Sequence, residues 1–153
     1  MPFGKFTYPF CYVPHPDVVD AAYALIARID ASDELKSLFS EGKMLGALLA
    51  EKDGGVVPLY GFSGLAGGRS HVDGFAGPIY DTENLIPAVS AEDSRRIQGE
   101  LFNLYRVHNA LGEEMSVSEI FALRGLVPPG GTGDCAAPKL LEHAYRLGLK
   151  PLA

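Results

Sequence analysis

The sequence predicts a single α+β domain in which a small sheet, containing a β-hairpin, packs against several helices. Two apolar runs joined by a Gly-rich turn within residues 44–62 predict the hairpin. Several other segments carry apolar side chains at helical spacing, which predicts the helices. The length of 153 residues suits one domain with a substantial core, and no internal repeat suggests a second. We therefore expect residues 1–153 to form one domain.

Two helices are predicted before the hairpin. The first helix is expected over residues 17–30, because apolar side chains recur there on one helical face. A second, short helix is expected over residues 33–40, beginning near Ser32 and ending at Gly42. The face of the first helix is defined by five side chains, which are Val18, Ala22, Leu25, Ile26 and Ile29.

The hairpin is the clearest strand prediction. Residues 44–51 resemble a buried strand, residues 52–55 form an Asp-Gly turn, and residues 56–62 form the partner strand. Pro58 has no backbone N–H to donate to a neighbouring strand. The second strand is therefore expected at a sheet edge or with a bulge.

Further helices are predicted in the second half of the chain. Residues 90–109 are the longest candidate, with a capping pattern formed by Ser90 and Asp93. His108 falls on the apolar face of this helix, where a hydrogen-bonded core histidine is more common than a ligand. Residues 116–123 form another short helix behind their own capping box.

A Gly- and Pro-rich loop, residues 127–133, leads to a cysteine at the predicted start of a helix. We expect Asp134 to be the N-cap, Pro138 to lie in the first turn and Gly148 to end the helix. Cys135 would then lie at a helix N-terminus, where free backbone amides favour a thiolate and can hold an anion. The alternative is that Cys135 is a small apolar side chain of the core.

The candidate site combines this cysteine with a second Gly-rich loop, residues 63–81. Cys135 and His71 are the candidate catalytic residues, because a thiolate nucleophile needs a base or a cationic partner. The alternative is a structured loop that binds nothing. The candidate binding residues in the two loops are Gly130, Gly131, Thr132, Gly133, Asp134, Ser63, Gly64 and Arg69.

Composition limits the classes of partner. The chain has 13 Lys and Arg against 19 Asp and Glu, a formal net charge of −6, so autonomous nucleic-acid binding is not expected. There is no signal peptide or long apolar run, which predicts a cytoplasmic protein without membrane association. Cys11 and Cys135 lack the spacing of a zinc site and are expected to be free thiols. We predict no metal and no cofactor; oligomeric state is left open.

A resemblance to a known family spans most of the chain. It is carried by residues 44–49 (MLGALL), by residues 61–67 (GFSGLAG) and by the later block of residues 127–153, which includes residues 133–141 (GDCAAPKLL). They resemble the N-terminal extension of RluA-like pseudouridine synthases from Bacteroidetes and related bacteria. In that family the extension precedes a synthase domain, which isomerises uridine in structured RNA with an aspartate in an H-R-L-D type motif. This chain has no such motif.

The resemblance implies an accessory or substrate-positioning domain that does not itself carry the synthase active site. RNA would then be a partner through an associated synthase domain. Residues 149–153 are predicted to begin a strand that the family continues, so the resemblance also implies the N-terminal part of a longer bacterial protein.

Two weaker likenesses concern the cysteine. Residues 133–135 and the following helix are similar to the nucleophile helix of transglutaminase-like cysteine enzymes, whose His and Asp come later in the chain than this sequence extends. The deaminase fold is similar in its hairpin and later cysteine, but the P-C-x-x-C motif is missing. The alternatives are therefore a hydrolase or transferase using Cys135, with His71 as base and nearby amides as oxyanion donors, or a structural protein-interaction domain.

Overall fold

Helices surround a small antiparallel sheet in the computed structural model, which describes residues 13–80 and 90–153. This arrangement is the α+β class, as the sequence predicts. None of the helices in these two ranges is long and apolar enough to cross a membrane. The elements in chain order are α1 (Pro16–Asp30), α2 (Asp33–Phe39), β1 (Leu45–Lys52), β2 (Gly55–Phe62), α3 (Ala91–Leu104), β3 (Arg106–His108), β4 (Glu114–Ser116), α4 (Val117–Ala122), α5 (Ala136–Arg146) and β5 (Lys150–Pro151).

The predicted hairpin is confirmed. Strands β1 and β2 pair antiparallel along their full length, up to the pair formed by Lys52 and Gly55. Asp53 and Gly54 close the turn with φ angles of 51° and 80°, the left-handed backbone that a two-residue hairpin turn requires. Strand β5 pairs with the other side of β1, which leaves β2 at the edge of this sheet. Pro58 therefore lies on an edge strand, where its missing N–H is tolerated.

The first half of the chain builds an aromatic core under the hairpin. Helix α2 begins at the predicted cap, where the Ser32 hydroxyl accepts a hydrogen bond from the Leu35 N–H at 3.3 Å. Phe39, Phe62 and Phe75 form a triangle with ring centroids 5.2–5.7 Å apart. Helix α1 covers this triangle with Leu25 and Ile29, as its periodicity predicts. Ile26, predicted on the same face, is instead exposed.

The prediction of one helix over residues 90–109 is wrong at its C-terminal end. Helix α3 stops at Leu104 because Tyr105 takes an extended conformation and buries its ring. The next residues form β3, which pairs antiparallel with β4. His108 therefore lies on a strand, where the packing of Tyr105 and the pairing with β4 override the helical spacing of the sequence.

Helix α5 packs directly on the hairpin. The Leu140 side chain of α5 would lie only 3.0 Å from a Cβ added at Gly46 or at Gly61, so neither position has room for a side chain without a shift of Leu140. Gly148 ends the helix with a φ of +66°, as predicted, and the Leu149 N–H donates to the Ala144 carbonyl oxygen at 2.9 Å. The chain then enters β5 beside β1, so the C-terminal end of α5 is tied to the sheet.

Candidate functional site

Cys135 lies at the start of α5, but the prediction of Asp134 as the N-cap is wrong. Cys135 itself is the N-cap, with an extended backbone and no side-chain hydrogen bond to the helix. Pro138 occupies the third helical position and has no N–H to offer a capping side chain. Cys135 is exposed, which does not fit a small apolar core residue.

The structure brings parts of the two predicted binding loops together. The Gly64 N–H donates to the Asp134 carbonyl oxygen at 2.9 Å, and the Ser63 hydroxyl accepts from the Met44 N–H at 3.3 Å. Asp134 is therefore held against the end of the hairpin by its backbone. Its carboxyl group remains free to interact with other side chains.

Some of the remaining predicted binding residues lie near this junction, which is the contact between Gly64 at the hairpin end and Asp134 before α5. Others lie elsewhere. Gly133 has a φ of +93°, and a Cβ there would stand 3.2 Å from the Tyr105 ring. The Thr132 hydroxyl donates to the Pro129 carbonyl oxygen within its own loop, at 2.6 Å, and Gly131 is left-handed with a φ of +76°. These residues shape the loop rather than face a common centre.

Gly130 and Arg69 lie away from the junction. A Cβ at Gly130 would stand 3.2 Å from the side chain of Gln98 on α3. The Arg69 guanidinium lies 3.5 Å from the Glu34 carboxylate on α2. Arg69 also lines a different surface depression, together with Arg28 and Asp73.

Lys139 is a buried cation that the sequence analysis missed. Its side chain is 3% exposed, and its Nζ donates to the carbonyl oxygens of Phe62, at 3.3 Å, and Gly64, at 2.9 Å. The ammonium also lies 5.2 Å from the centre of the Phe62 ring. Burial lowers the pKa of Lys139, while the neighbouring Asp134 carboxylate and Cys135 side chain oppose this shift.

Tyr105 and Asp134 lie beside each other on the same side of the domain as Lys139 and Gly64. Burial is the main cause that raises the pKa of Tyr105 to about 12, and the negative charge of the nearby Asp134 carboxylate adds to it. Burial also raises the pKa of Asp134, although Lys139 and Tyr105 act in the opposite direction. Asp134 keeps part of its surface exposed, so its carboxyl group connects the buried tyrosine with solvent.

These groups line a cavity of about 330 Å³ between the hairpin end, the Gly-rich loop and α5. Gly64 and Leu65 form one side, and Tyr80 lies beside Tyr105 with ring centroids 5.8 Å apart. Asp134 and Lys139 contribute a carboxylate and an ammonium to the same space. We call this space the junction cavity.

His71, the predicted base, lines a neighbouring cavity of about 300 Å³. That cavity is bounded by Lys139, Glu142, His143 and Arg146 of α5, and Cys135 is not among its lining residues. His71 is exposed, like Cys135. The catalytic pairing of Cys135 with His71 stays a prediction.

Helix α5 carries its chemically active side chains in one row. Cys135, Lys139, Glu142 and Arg146 follow one another at steps of four, three and four residues, which places them on one helical face. This spacing was present in the sequence. The apolar spacing of this segment predicts the helix, but it does not indicate which of the charged side chains are buried.

Among the described residues, no group of three or more His, Cys, Asp or Glu side chains is placed to hold a metal ion. Cys11, the other cysteine of the sequence, lies outside the described residues. Comparisons with protein-family models, with curated proteins and with solved structures found no match to this chain. Fold and site therefore define an α+β domain with a cavity at the junction of its hairpin and last helix.

Proposed function

We propose that the chain is an accessory, substrate-positioning domain associated with an RNA pseudouridine synthase, without a synthase active site of its own. One observation supports this proposal most strongly: the stretches that resemble the synthase extension pack directly on one another. Gly46 and Gly61 contact Leu140, and Lys139 bonds to the carbonyl oxygens of Phe62 and Gly64. The resembling residues thus build one structural unit rather than three unrelated segments.

The same unit contributes Gly64, Leu65, Asp134 and Lys139 to the lining of the junction cavity. A substrate-positioning domain needs a recess with a few placed polar groups, and it does not need a nucleophile with its base. Lys139 and Asp134 supply such groups. The net charge of −6 opposes independent binding to an RNA backbone, so the domain acts on RNA that the synthase holds.

The test uses the whole chain together with the catalytic domain of an RluA-like synthase that lacks its own extension. Pseudouridine formation in a structured RNA is followed by the release of tritium from labelled uridine. We expect no turnover by the chain alone and a lower KM when the chain is added to the catalytic domain. Turnover by the chain alone, or a KM that does not change, contradicts the proposal.

The second candidate function is a cysteine-dependent hydrolase or transferase, and the exposure of Cys135 favours it. In this function Cys135 at the N-terminus of α5 is the nucleophile and His71 the base. If the chain has this second function, it should hydrolyse an activated ester, and Cys135→Ser should abolish the hydrolysis. Equal hydrolysis by the unchanged chain and by Cys135→Ser excludes it.

A further inference from the structure

The junction cavity combines an aromatic wall with two charged groups of opposite sign, and Ser70 is a further polar residue of its lining. Tyr80 and Tyr105 supply adjoining rings, and Leu65 adds an aliphatic surface. The volume of about 330 Å³ lies within the range of small-molecule sites, which are mostly apolar with a few polar groups that orient the ligand. A flat ring that carries polar atoms along one edge matches this lining.

The two polar groups keep hydrogen-bonding capacity for a ligand. The Lys139 ammonium has three N–H donors, of which two are used by the carbonyl oxygens of Phe62 and Gly64. The Asp134 carboxylate has two acceptor oxygens and interacts with the Tyr105 hydroxyl. Lys139 and Asp134 do not form an ion pair within 4.0 Å of each other among the described residues.

A hydrogen-bond donor and a hydrogen-bond acceptor beside an aromatic wall are the features by which proteins recognise a nucleobase. Single bases are recognised in proteins by contact with aromatic rings together with hydrogen bonds to the polar edge of the base. We propose that the junction cavity binds one unstacked nucleobase, with its ring against Tyr80 and Tyr105 and its polar edge on Asp134 and Lys139. This inference deepens the proposed function, on which it rests, by naming the part of the RNA that the domain holds.

Free nucleosides are the probes that test this inference, because they carry the base without the phosphates that the net charge of the chain repels. The whole chain, labelled with ¹⁵N, is titrated with uridine and with cytidine in the millimolar range. We expect shifts of the amide signals of Gly64, Leu65 and Leu101, whose residues line the cavity. The base 1,3-dimethyluracil has no N–H, so its binding should be weaker by about tenfold.

Matched variants locate the binding. Tyr80→Leu and Asp134→Asn should each weaken uridine binding by about fivefold or more, because they remove a ring contact or a charged acceptor. Tyr23→Leu and Asp20→Asn, on the exposed surface of α1, should leave binding unchanged. Lys139 is left in place because its Nζ also holds the backbone, and the dispersion of the amide spectrum reports whether each variant is folded.

Three results would overturn the inference: amide shifts confined to other parts of the chain, equal binding of uridine and 1,3-dimethyluracil, or p-cresol binding as tightly as uridine. The last would indicate that the cavity accepts an aromatic side chain of a partner protein. Because these titrations contain no synthase, their failure is distinct from that of the proposed function, which is measured by the KM of the synthase.

Discussion

Glu142 on α5 binds His108 on β3 twice, through the backbone N–H at 2.7 Å and through the imidazole Nδ1 at 2.9 Å. The Arg146 Nε, one turn further along α5, donates to the same carboxylate at 2.6 Å. Glu142 is only 3% exposed, and these hydrogen bonds, together with the Arg146 guanidinium, are what a buried carboxylate requires. The carboxylate thus fixes the short β3–β4 hairpin to the last helix.

Replacing this carboxylate should therefore cost stability. We expect Glu142→Ala to lower the free energy of unfolding by about 2–3 kcal/mol, because it leaves a backbone N–H and two polar side chains without their acceptor. Chemical denaturation followed by circular dichroism measures the change. Glu100→Ala is the control, since Glu100 forms an exposed pair with Arg96 and its loss should change stability by less than about 0.5 kcal/mol. Equal losses in both variants would argue against the role of Glu142.

The close contact between α5 and the hairpin predicts a strong effect at Gly46. A Cβ added there would lie 3.0 Å from both the Ala136 Cβ and the Leu140 Cδ1, and the Ala136 Cβ cannot move without the helix. Gly46→Ala should therefore destabilise the fold by about 1–3 kcal/mol. Gly99→Ala is the matched control, because an added Cβ on α3 has no neighbour within 4 Å and should stabilise the helix by up to about 1 kcal/mol. A melting temperature that rises in both variants would contradict the packing.

The exposure of Cys135 predicts fast labelling of the folded protein. In the background Cys11→Ser, a thiol reagent should modify Cys135 without denaturant, because the residue is accessible at the surface. Labelling that needs denaturant would show that the thiol is covered. The double variant, in which Cys135→Ser is added, controls for reaction at other side chains.

The same substitution should have little effect on stability. We expect Cys135→Ser to change the free energy of unfolding by less than about 0.5 kcal/mol, since an exposed thiol is replaced by an exposed hydroxyl. As an N-cap, serine would have only the Ala137 N–H to accept from, because Pro138 at the third helical position has no N–H. Thermal unfolding measures the difference. A loss of about 1–3 kcal/mol would instead indicate an apolar surrounding.

Tyr105 should titrate at high pH. Its pKa of about 12 lies above the ordinary 10.0, so the protonated phenol stabilises the fold below pH 10, and this contribution is lost as the pH rises from 10 to 12. Asp134→Asn should lower the pKa of Tyr105 but leave it raised, because burial is the larger cause. The difference in ultraviolet absorbance between the unchanged chain and Tyr105→Phe measures the titration. An ordinary pKa in the unchanged chain would contradict the buried environment.

The parts of the fold that local interactions determine were predictable. The Asp53–Gly54 turn, the edge position of Pro58 and the end of α5 at Gly148 each follow from the backbone preferences of a few neighbouring residues. The cap of α4 is equally local, since Ser116 and Glu119 satisfy each other's backbone groups. Such signals lie within a few residues and need no knowledge of the rest of the fold.

The candidate site was predicted only in part, because its energetics depend on distant contacts. The sequence correctly places Cys135 at a helix N-terminus, but Asp134 is not the N-cap, and its carboxyl group interacts with Tyr105 instead. The buried Lys139 donates to carbonyl oxygens up to 77 residues away in sequence, and local spacing does not indicate such a contact.

The sequence by itself therefore determined the α+β class, the hairpin, most helix ends and the segment that carries Cys135. Only the tertiary structure decided that His108 lies on a strand, that Lys139 and Glu142 are buried, and that a cavity forms where the hairpin meets α5. The physical reason is that turns and caps are chosen by short-range backbone preferences. The burial of a charge is instead tolerated only when distant donors and acceptors meet it in the folded chain.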